Sequence, residues 1–441
     1  MSQVVPWKAF IYKIREYFST LEITRGLLIS LLSSAFIYLE FYDYSYPLFN
    51  TFLGLLALYL LLDSNTKTWF ITGAFTALFW FWWIARSLVH YELLYGVPLV
   101  ILIIMLSYGL IFAFIAWLSH KVSKLFPKNE ALLSLIFKSL GILTLSTIHP
   151  FSFDWFKPEL MFIESYLGIE KWQFAITLSA MTLTIWRRHF LYLSFIMFAY
   201  QPSTYAPLKT DGDIALMTTS TSVKEKWNET LHPEQFQEVF KRIDHAIDTG
   251  KTLVVLPESV FPLFLNRSQK LIDTLEEKAK HISIVTGGLY WDGKTPRNST
   301  YIFTNGKITV ANKVILVPFG ERNPLPDFLS DWINQIFYDG AVDYKASSSV
   351  VDYVIDGKTY RNAICFEATS EQLYSKDREG KRPENMIVLS NNGWFTPSTE
   401  PTLQKLLLKY YSKKYGTTIY HAINMSDSYM IQKGKVSDIK P

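Results

Sequence analysis

Three short segments in the carboxyl-terminal half carry reactive side chains at the ends of apolar runs. They are LPES with Glu258, ANKVILVPFGE with Lys313 and Glu321, and AICFEATS with Cys365 and Glu367. Cys365 is the one cysteine among 441 residues, so it forms no internal disulfide. It is either a small core residue or a reactive thiol. A thiol attacks as its thiolate, and a carboxylate beside it can take the proton. A lysine and a backbone N–H can together hold the oxyanion that such an attack creates. Singly, Glu258 reads as a strand-end acid, Lys313 as a solvated lysine and Cys365 as core. As a set they supply a nucleophile, a base and an oxyanion partner. The sequence has no HExxH, no CxxC and no His pair at ligand spacing, so neither a metal nor another cofactor is expected.

The elements that must position these groups divide the chain in two. Hydrophobic residues make up 49% and aromatics 16% of the sequence, and roughly the first 200 residues carry the excess. A spanning helix needs about 20 mostly apolar residues. Candidate spans fall near 24–41, 47–63, 68–85, 96–118, 131–148, 170–186 and 189–200, which makes residues 1–200 a membrane domain of about seven spans. Lys and Arg concentrate on the side of the amino terminus, with Lys13, Arg25, Lys67, Lys121 and Lys124 among them. The opposite side carries Arg86, Lys157 and Lys171. This bias puts the amino terminus in the cytoplasm and delivers the rest of the chain to the other face. The net charge of +4 is modest and forms no basic face interleaved with aromatics, so nucleic acid is not an expected partner.

Residues 201–212 contain QPSTYAPLKTDGD's two prolines and read as a linker. From 213 to 441, strand-length apolar runs alternate with helical patterns. DIALMTTST, KTLVVLPES, HISIVTGGLYW, STYIFTN, KVILVPF, NAICFE, NMIVLSN and TTIYHAINMS read as strands, and 233–249, 267–280 and 402–414 as helices. This is an α/β domain with a largely buried sheet.

The three reactive segments, in this order, resemble the Glu–Lys–Cys pattern of the nitrilase superfamily. Joined to a multi-span half, the chain resembles that superfamily's membrane-bound branch, the apolipoprotein N-acyltransferase family of diderm bacteria. The resemblance implies an αββα sandwich for the second domain. It makes Glu258 the general base, Lys313 the oxyanion partner and Cys365 the nucleophile. It makes Glu321 and Glu367 supporting acids and the Phe366 N–H a second oxyanion donor. NNGWF, with Trp394 and Phe395, stands where the family commonly has NDAWF, and Trp227 in VKEKWNETL matches a family tryptophan. Trp227, Trp394, Phe395, Trp332 and Phe337 are the expected acyl-chain or lid contacts, and the loop holding Trp155 and Phe156 is a further apolar cover. Phe366 replaces the more common tyrosine after the nucleophile and keeps its N–H.

The reaction implied by the resemblance is a two-step acyl transfer in the inner membrane, with the catalytic domain in the periplasm. Cys365 takes the sn-1 acyl chain of a phospholipid such as phosphatidylethanolamine and passes it to the α-amine of an S-diacylglyceryl-cysteine on an apolipoprotein. The lipid bilayer is a third partner. A membrane-tethered amidohydrolase with the same triad is the alternative; it needs neither spans nor aromatic lid. A transporter with an inert domain is disfavoured by the intact triad and by spans nearly free of charge, Lys138 being the main exception. Family members often close with an extra span, and the MIQKGKVSDIKP ending has no run long enough for one.

Overall fold

The computed structural model describes residues 16–90, 92–149, 153–201, 212–323, 343–376 and 380–437. Most of the expected linker, together with Trp332 and Phe337, lies outside them. The chain forms two compact units. One combines Met1–Ile148 with Lys157–Tyr205 and Pro397–Leu403; the other combines His149–Phe156 with Ala206–Thr396 and Gln404–Pro441.

The first unit is helical. Its helices are α1 (Thr20–Phe41), α2 (Pro47–Leu62), α3 (Thr66–Phe81), α4 (Val97–Ser123), α5 (Glu130–Leu145) and α6 (Lys171–Arg187), followed by a 3-10 run, Phe190–Ala199. A helix therefore stands at each expected span. Among the described residues, Thr20–Phe41, Thr66–His90 and Leu94–Ser123 are long and apolar enough to cross a membrane, while Pro47–Leu62 and Phe190–Ala199 are apolar but shorter. Starts are set locally. Ser19 and Glu22 form a reciprocal capping box on α1, and the Asn65 side chain accepts from Thr68 N–H to start α3.

Helices α3 and α4 meet along glycines. A Cβ on Gly73 would lie 2.5 Å from the Tyr108 carbonyl oxygen, and one on Gly109 would lie 3.0 Å from the Phe70 ring. Between apolar helices in lipid, such close backbone approach provides the packing energy that water expulsion cannot. The outer side of α4 exposes Leu99, Ile103, Leu106, Leu110 and Phe114, a face suited to acyl chains. Lys138 donates to the Leu62 and Ser64 carbonyls at 3.0 and 2.6 Å. It satisfies acceptors left open at the end of α2.

The second unit is a sandwich of two six-stranded mixed sheets. The first contains β1 (Ile214–Leu216), β2 (Leu253–Val255), β3 (Phe261–Phe264), β4 (Ser283–Trp291), β5 (Pro296–Thr304) and β6 (Lys307–Asn312). Its order is β1-β2-β4-β5-β6, with β3 also paired to β4. The second contains β7 (Asp352–Ile355), β8 (Lys358–Ile364), β9 (Asn385–Asn391), β10 (Thr418–Asn424), β11 (Tyr429–Gln432) and β12 (Lys435–Ser437), in the order β12-β11-β10-β9-β8-β7. Strands β8, β9 and β10 run parallel, as do β1, β2 and β4.

Alternation along β1 shows how the layers arise. Ile214 and Leu216 face the second sheet and pack in one core with Val255, Val285, Ile387 and Tyr420. Ala215 points the other way, into a core shared with Val239 and Ile243 of α7 (His232–Asp248) and Leu275 of α8 (Gln269–Lys278). Each fully buried aliphatic side chain contributes about 1.5–3 kcal/mol. Helix α9 (Glu400–Tyr415) makes the crossover between the parallel strands β9 and β10. The expected nitrilase-like αββα sandwich is thus the observed fold.

One expected strand is absent. KVILVPF, residues 313–319, has strand length and apolarity but joins no ladder. The Val314 and Ile315 N–H groups donate to the Glu367 carboxylate at 2.8 and 3.1 Å, where a strand would donate to a neighbouring carbonyl. The strand of this region is β6, just before it, in a more polar stretch.

Candidate active site

The reactive groups sit at three chain exits from the sandwich: Glu258 after β2, Lys313 after β6 and Cys365 after β8. Asn298, on β5, ties two of these exits together. Its amide nitrogen donates to Glu258 Oε1 and to Glu321 Oε1, both at 2.8 Å. Glu321 in turn receives Lys313 Nζ on both oxygens, at 3.0 and 2.9 Å, and the Val317 N–H at 2.9 Å. A continuous ladder, Glu258–Asn298–Glu321–Lys313, results. Lys313 is only 1% exposed and Glu258 8%.

Each charge is shaped by this enclosure. Burial raises the Glu258 carboxyl above the ordinary range; Lys313 opposes that rise and Glu321 adds to it. Burial alone would depress Lys313, but Glu321, Glu258 and Cys365 outweigh it and hold the ammonium charged. Cys365 therefore stands within the field of Lys313. Its Sγ also has the Gln404 amide nitrogen at 3.9 Å.

The backbone at these exits is unusual. Cys365 has φ +51° and Ser259, next to Glu258, φ +48°, both in the left-handed region that costs a non-glycine residue about 1–2 kcal/mol. At Cys365 this turns β8 abruptly into the 3-10 segment Cys365–Thr369. At Glu258 the turn presses onto β4. A Cβ on Gly287 would lie 2.5 Å from Ser259 N and 2.8 Å from Glu258 Cα, so only glycine leaves room.

Glu367, expected as a supporting acid, is a clamp. Besides Val314 and Ile315, its carboxylate accepts the Ile364 N–H at 2.8 Å. It therefore fastens the Cys365 turn to the segment that carries Lys313. Burial pushes it up to about 7, against the pull of Lys313 and the three backbone donors.

Phe366 stacks nearly parallel to Phe153 and Trp155, with ring centroids at 6.0 and 6.2 Å. Those rings belong to a short stretch that precedes α6 in the chain yet folds with the sandwich. Asp154 anchors the stretch. It accepts the Tyr411 hydroxyl at 2.9 Å and the Glu371 N–H at 3.1 Å, and pairs with His149 at 2.9 Å. Trp227 is 41% exposed at the end of the short helix Val223–Lys226. Trp394 and Phe395 are half-buried on the turn after β9.

Several participants left little trace in the sequence. Asn298 and Gln404 are polar residues inside well-formed elements, and no spacing marks them. Gly287 had a signal, a glycine within a strand. Lys226 sits in a charged stretch that reads as surface, yet it is 2% exposed and donates to the Glu258 carbonyl at 3.1 Å. Among the described residues no group of three or more His, Cys, Asp or Glu is placed to hold a metal ion.

An αββα sandwich with a half-buried thiol, a buried carboxylate and a buried ammonium at its strand exits is a nitrilase-like domain, here joined to an integral membrane region with several spans. The sequence model of the apolipoprotein N-acyltransferase integral membrane domain matches residues 20–203. The apolipoprotein N-acyltransferase of Wolinella succinogenes is 39% identical over 91% of this chain and 94% of its own. That of Campylobacter jejuni is 32% identical over 94% of this chain and 90% of its own. Among solved structures, a CN-hydrolase superfamily protein from Xanthomonas campestris aligns with 16% identity and a TM-score of 0.39 over 51% of this chain and 84% of that one. The chain belongs to the apolipoprotein N-acyltransferase family. It is an acyltransferase.

Proposed function

We propose that the protein moves an acyl chain from a membrane phospholipid to the amino terminus of an apolipoprotein through a thioester on Cys365. Glu258 takes the thiol proton, and the sulfur attacks the sn-1 ester carbonyl of a donor such as phosphatidylethanolamine. The Lys313 ammonium and the Phe366 N–H hold the oxyanion. The acyl C–O bond breaks, Glu258 returns its proton to the departing glycerol oxygen, and lysophospholipid leaves. The α-amine of an S-diacylglyceryl-cysteine then attacks the thioester. Glu258 accepts a proton from that amine, the C–S bond breaks, and the proton passes back to the thiolate. An amide and the free enzyme result, in ping-pong order. This is the last step of lipoprotein maturation.

The observation that carries this reading is the buried ladder from Glu258 to Lys313, with Cys365 in the field of its lysine. Family membership supports the choice of donor and acceptor. The Lys/Arg bias supports seven spans, a cytoplasmic amino terminus and an active site on the periplasmic side of the inner membrane. There both lipid-anchored substrates arrive by lateral diffusion, which supplies proximity. Trp227, Trp394 and Phe395 are assigned to contact acyl chains.

Intact mass after incubation with phosphatidylethanolamine, without acceptor, tests this. The expected result is a gain of one acyl group, lost on hydroxylamine treatment, absent in Cys365→Ala, and discharged onto a diacylglyceryl-cysteine peptide. Free fatty acid released without any adduct would replace transfer by hydrolysis.

A further inference from the structure

Lys226 takes no part in the scheme above, yet it is nearly as buried as Lys313. The segment that carries it is fixed on both sides. Ser222 and Glu225 form a capping box at its start. Gln235 donates to the Glu225 carbonyl and His232 Nε2 meets the Lys226 carbonyl, both at 3.0 Å. The side chain runs inward, and its ammonium reaches the Glu258 carbonyl at 3.1 Å.

A buried ammonium held by a neutral carbonyl needs a counter-charge. The titratable and charged groups of the site distribute as follows. Glu321 is bound on both oxygens by Lys313. Glu367 has three backbone donors. Cys365 lies in the field of Lys313. His232 and Glu225 meet the segment of Lys226 through its main chain and cap. Glu258 has a neutral partner in Asn298 and feels Lys313, whose effect Glu321 partly cancels. Lys226 is a second cation acting on Glu258, after Lys313. Lys313 pairs with Glu321, while Lys226 reaches Glu258 through its main-chain carbonyl and lies in the field of its carboxylate.

We infer that Lys226 is a positioning residue for the general base: its ammonium ties down the Glu258 main chain and adds, beside Lys313, a positive charge that favours the carboxylate form of the side chain. This rests on Glu258 being the base. Burial works against both members. It pushes Lys226 down to about 8 and Glu258 upward, and each charge offsets part of the other's shift. Removing the positive charge leaves burial unopposed by Lys226, so Glu258 holds its proton to higher pH.

The test is single-turnover acylation of the full chain in detergent by phosphatidylethanolamine, followed by intact mass from mildly acid to mildly alkaline pH. Lys226→Gln keeps a hydrogen-bond donor but no charge, and Lys226→Arg keeps the charge. In Lys226→Gln the acid limb moves toward alkaline pH. The rate falls about tenfold on that limb and less than about threefold on the plateau. Lys226→Arg returns the limb to the wild-type position. An unmoved limb in Lys226→Gln, with the rate unchanged or uniformly lower, overturns the inference. Wild-type acylation by Glu258→Gln would instead overturn the base assignment itself, and this inference with it. Thermal unfolding gives a second arm for the case where Lys226→Gln accumulates poorly. The double variant Lys226→Gln/Glu258→Gln is expected to unfold above the sum of the two single losses, and strict additivity overturns the pairing.

Discussion

The two units of this molecule treat buried polarity in opposite ways. In the helical unit the interior is closed by removing side chains: Gly73 and Gly109 let α3 and α4 touch through backbone and ring. The polar groups among those helices are largely hydroxyls bonded to their own helix, as Ser30 is to the Gly26 carbonyl at 2.9 Å. In the sandwich the interior at the strand exits is filled with charge, and each ion has a named partner. The comparison shows what each unit has to hold. The helices chiefly pack apolar surface, with the buried Glu159 held by Lys171 at 2.6 Å, whereas the strand exits keep several ions fixed away from water.

Breaking the charged side should have the largest effect. Cys365→Ala is expected to abolish the acyl adduct altogether, read by intact mass. Glu367→Gln turns an amide N–H₂ toward backbone donors and opens the clamp between Cys365 and Lys313. We expect a loss of about 2–4 kcal/mol in stability and at least about a hundredfold in acylation rate. Gly287→Ala pushes the Glu258 turn off β4. About a tenfold to hundredfold loss of acylation is expected, beyond a stability cost of about 1–3 kcal/mol read from the melting temperature of the protein in detergent.

The helical side should break differently. Gly73→Ala meets the Tyr108 carbonyl and should cost about 1–3 kcal/mol of stability, while the fraction that stays folded acylates at the wild-type rate. A large loss of specific activity there would erase the contrast between the units. The smallest expected effect is on pH dependence. Glu258 and Glu367 are both raised in the folded state, Glu367 to about 7. Between the ordinary carboxylate range and that value the folded protein binds more protons than the unfolded one, so stability falls as pH rises. The melting temperature should decline modestly from about pH 5 to about pH 7, and Glu258→Gln should flatten part of that decline.

Much of this was legible in the sequence because regular structure writes itself as a pattern. Strand β1 alternates toward two cores, and the lone cysteine ends an apolar run. What stayed hidden depended on partners far along the chain. VILV after Lys313 looks like a strand, and only the distant Glu367 explains why its N–H groups leave the ladder. KEKW looks like surface. The structure turns Trp227, the expected contact, toward the outside and its neighbour Lys226 inward, a difference of one position that no periodicity in a four-residue helix can fix. The pairing of Phe366 with Phe153 and Trp155 joins residues more than two hundred apart.

That last pairing bears on how the enzyme can be cut and how it is made. The sandwich is not one continuous stretch of gene: residues 149–156 are an early-synthesised piece of a late-synthesised fold. A fragment begun at Asp213 would keep Glu258, Lys313 and Cys365, yet it would take Phe153 and Trp155 from the Phe366 ring and strip Tyr411 of the carboxylate it bonds. On the ribosome the order is reversed. The anchor carrying Asp154 leaves first, and the strands that follow must close over it.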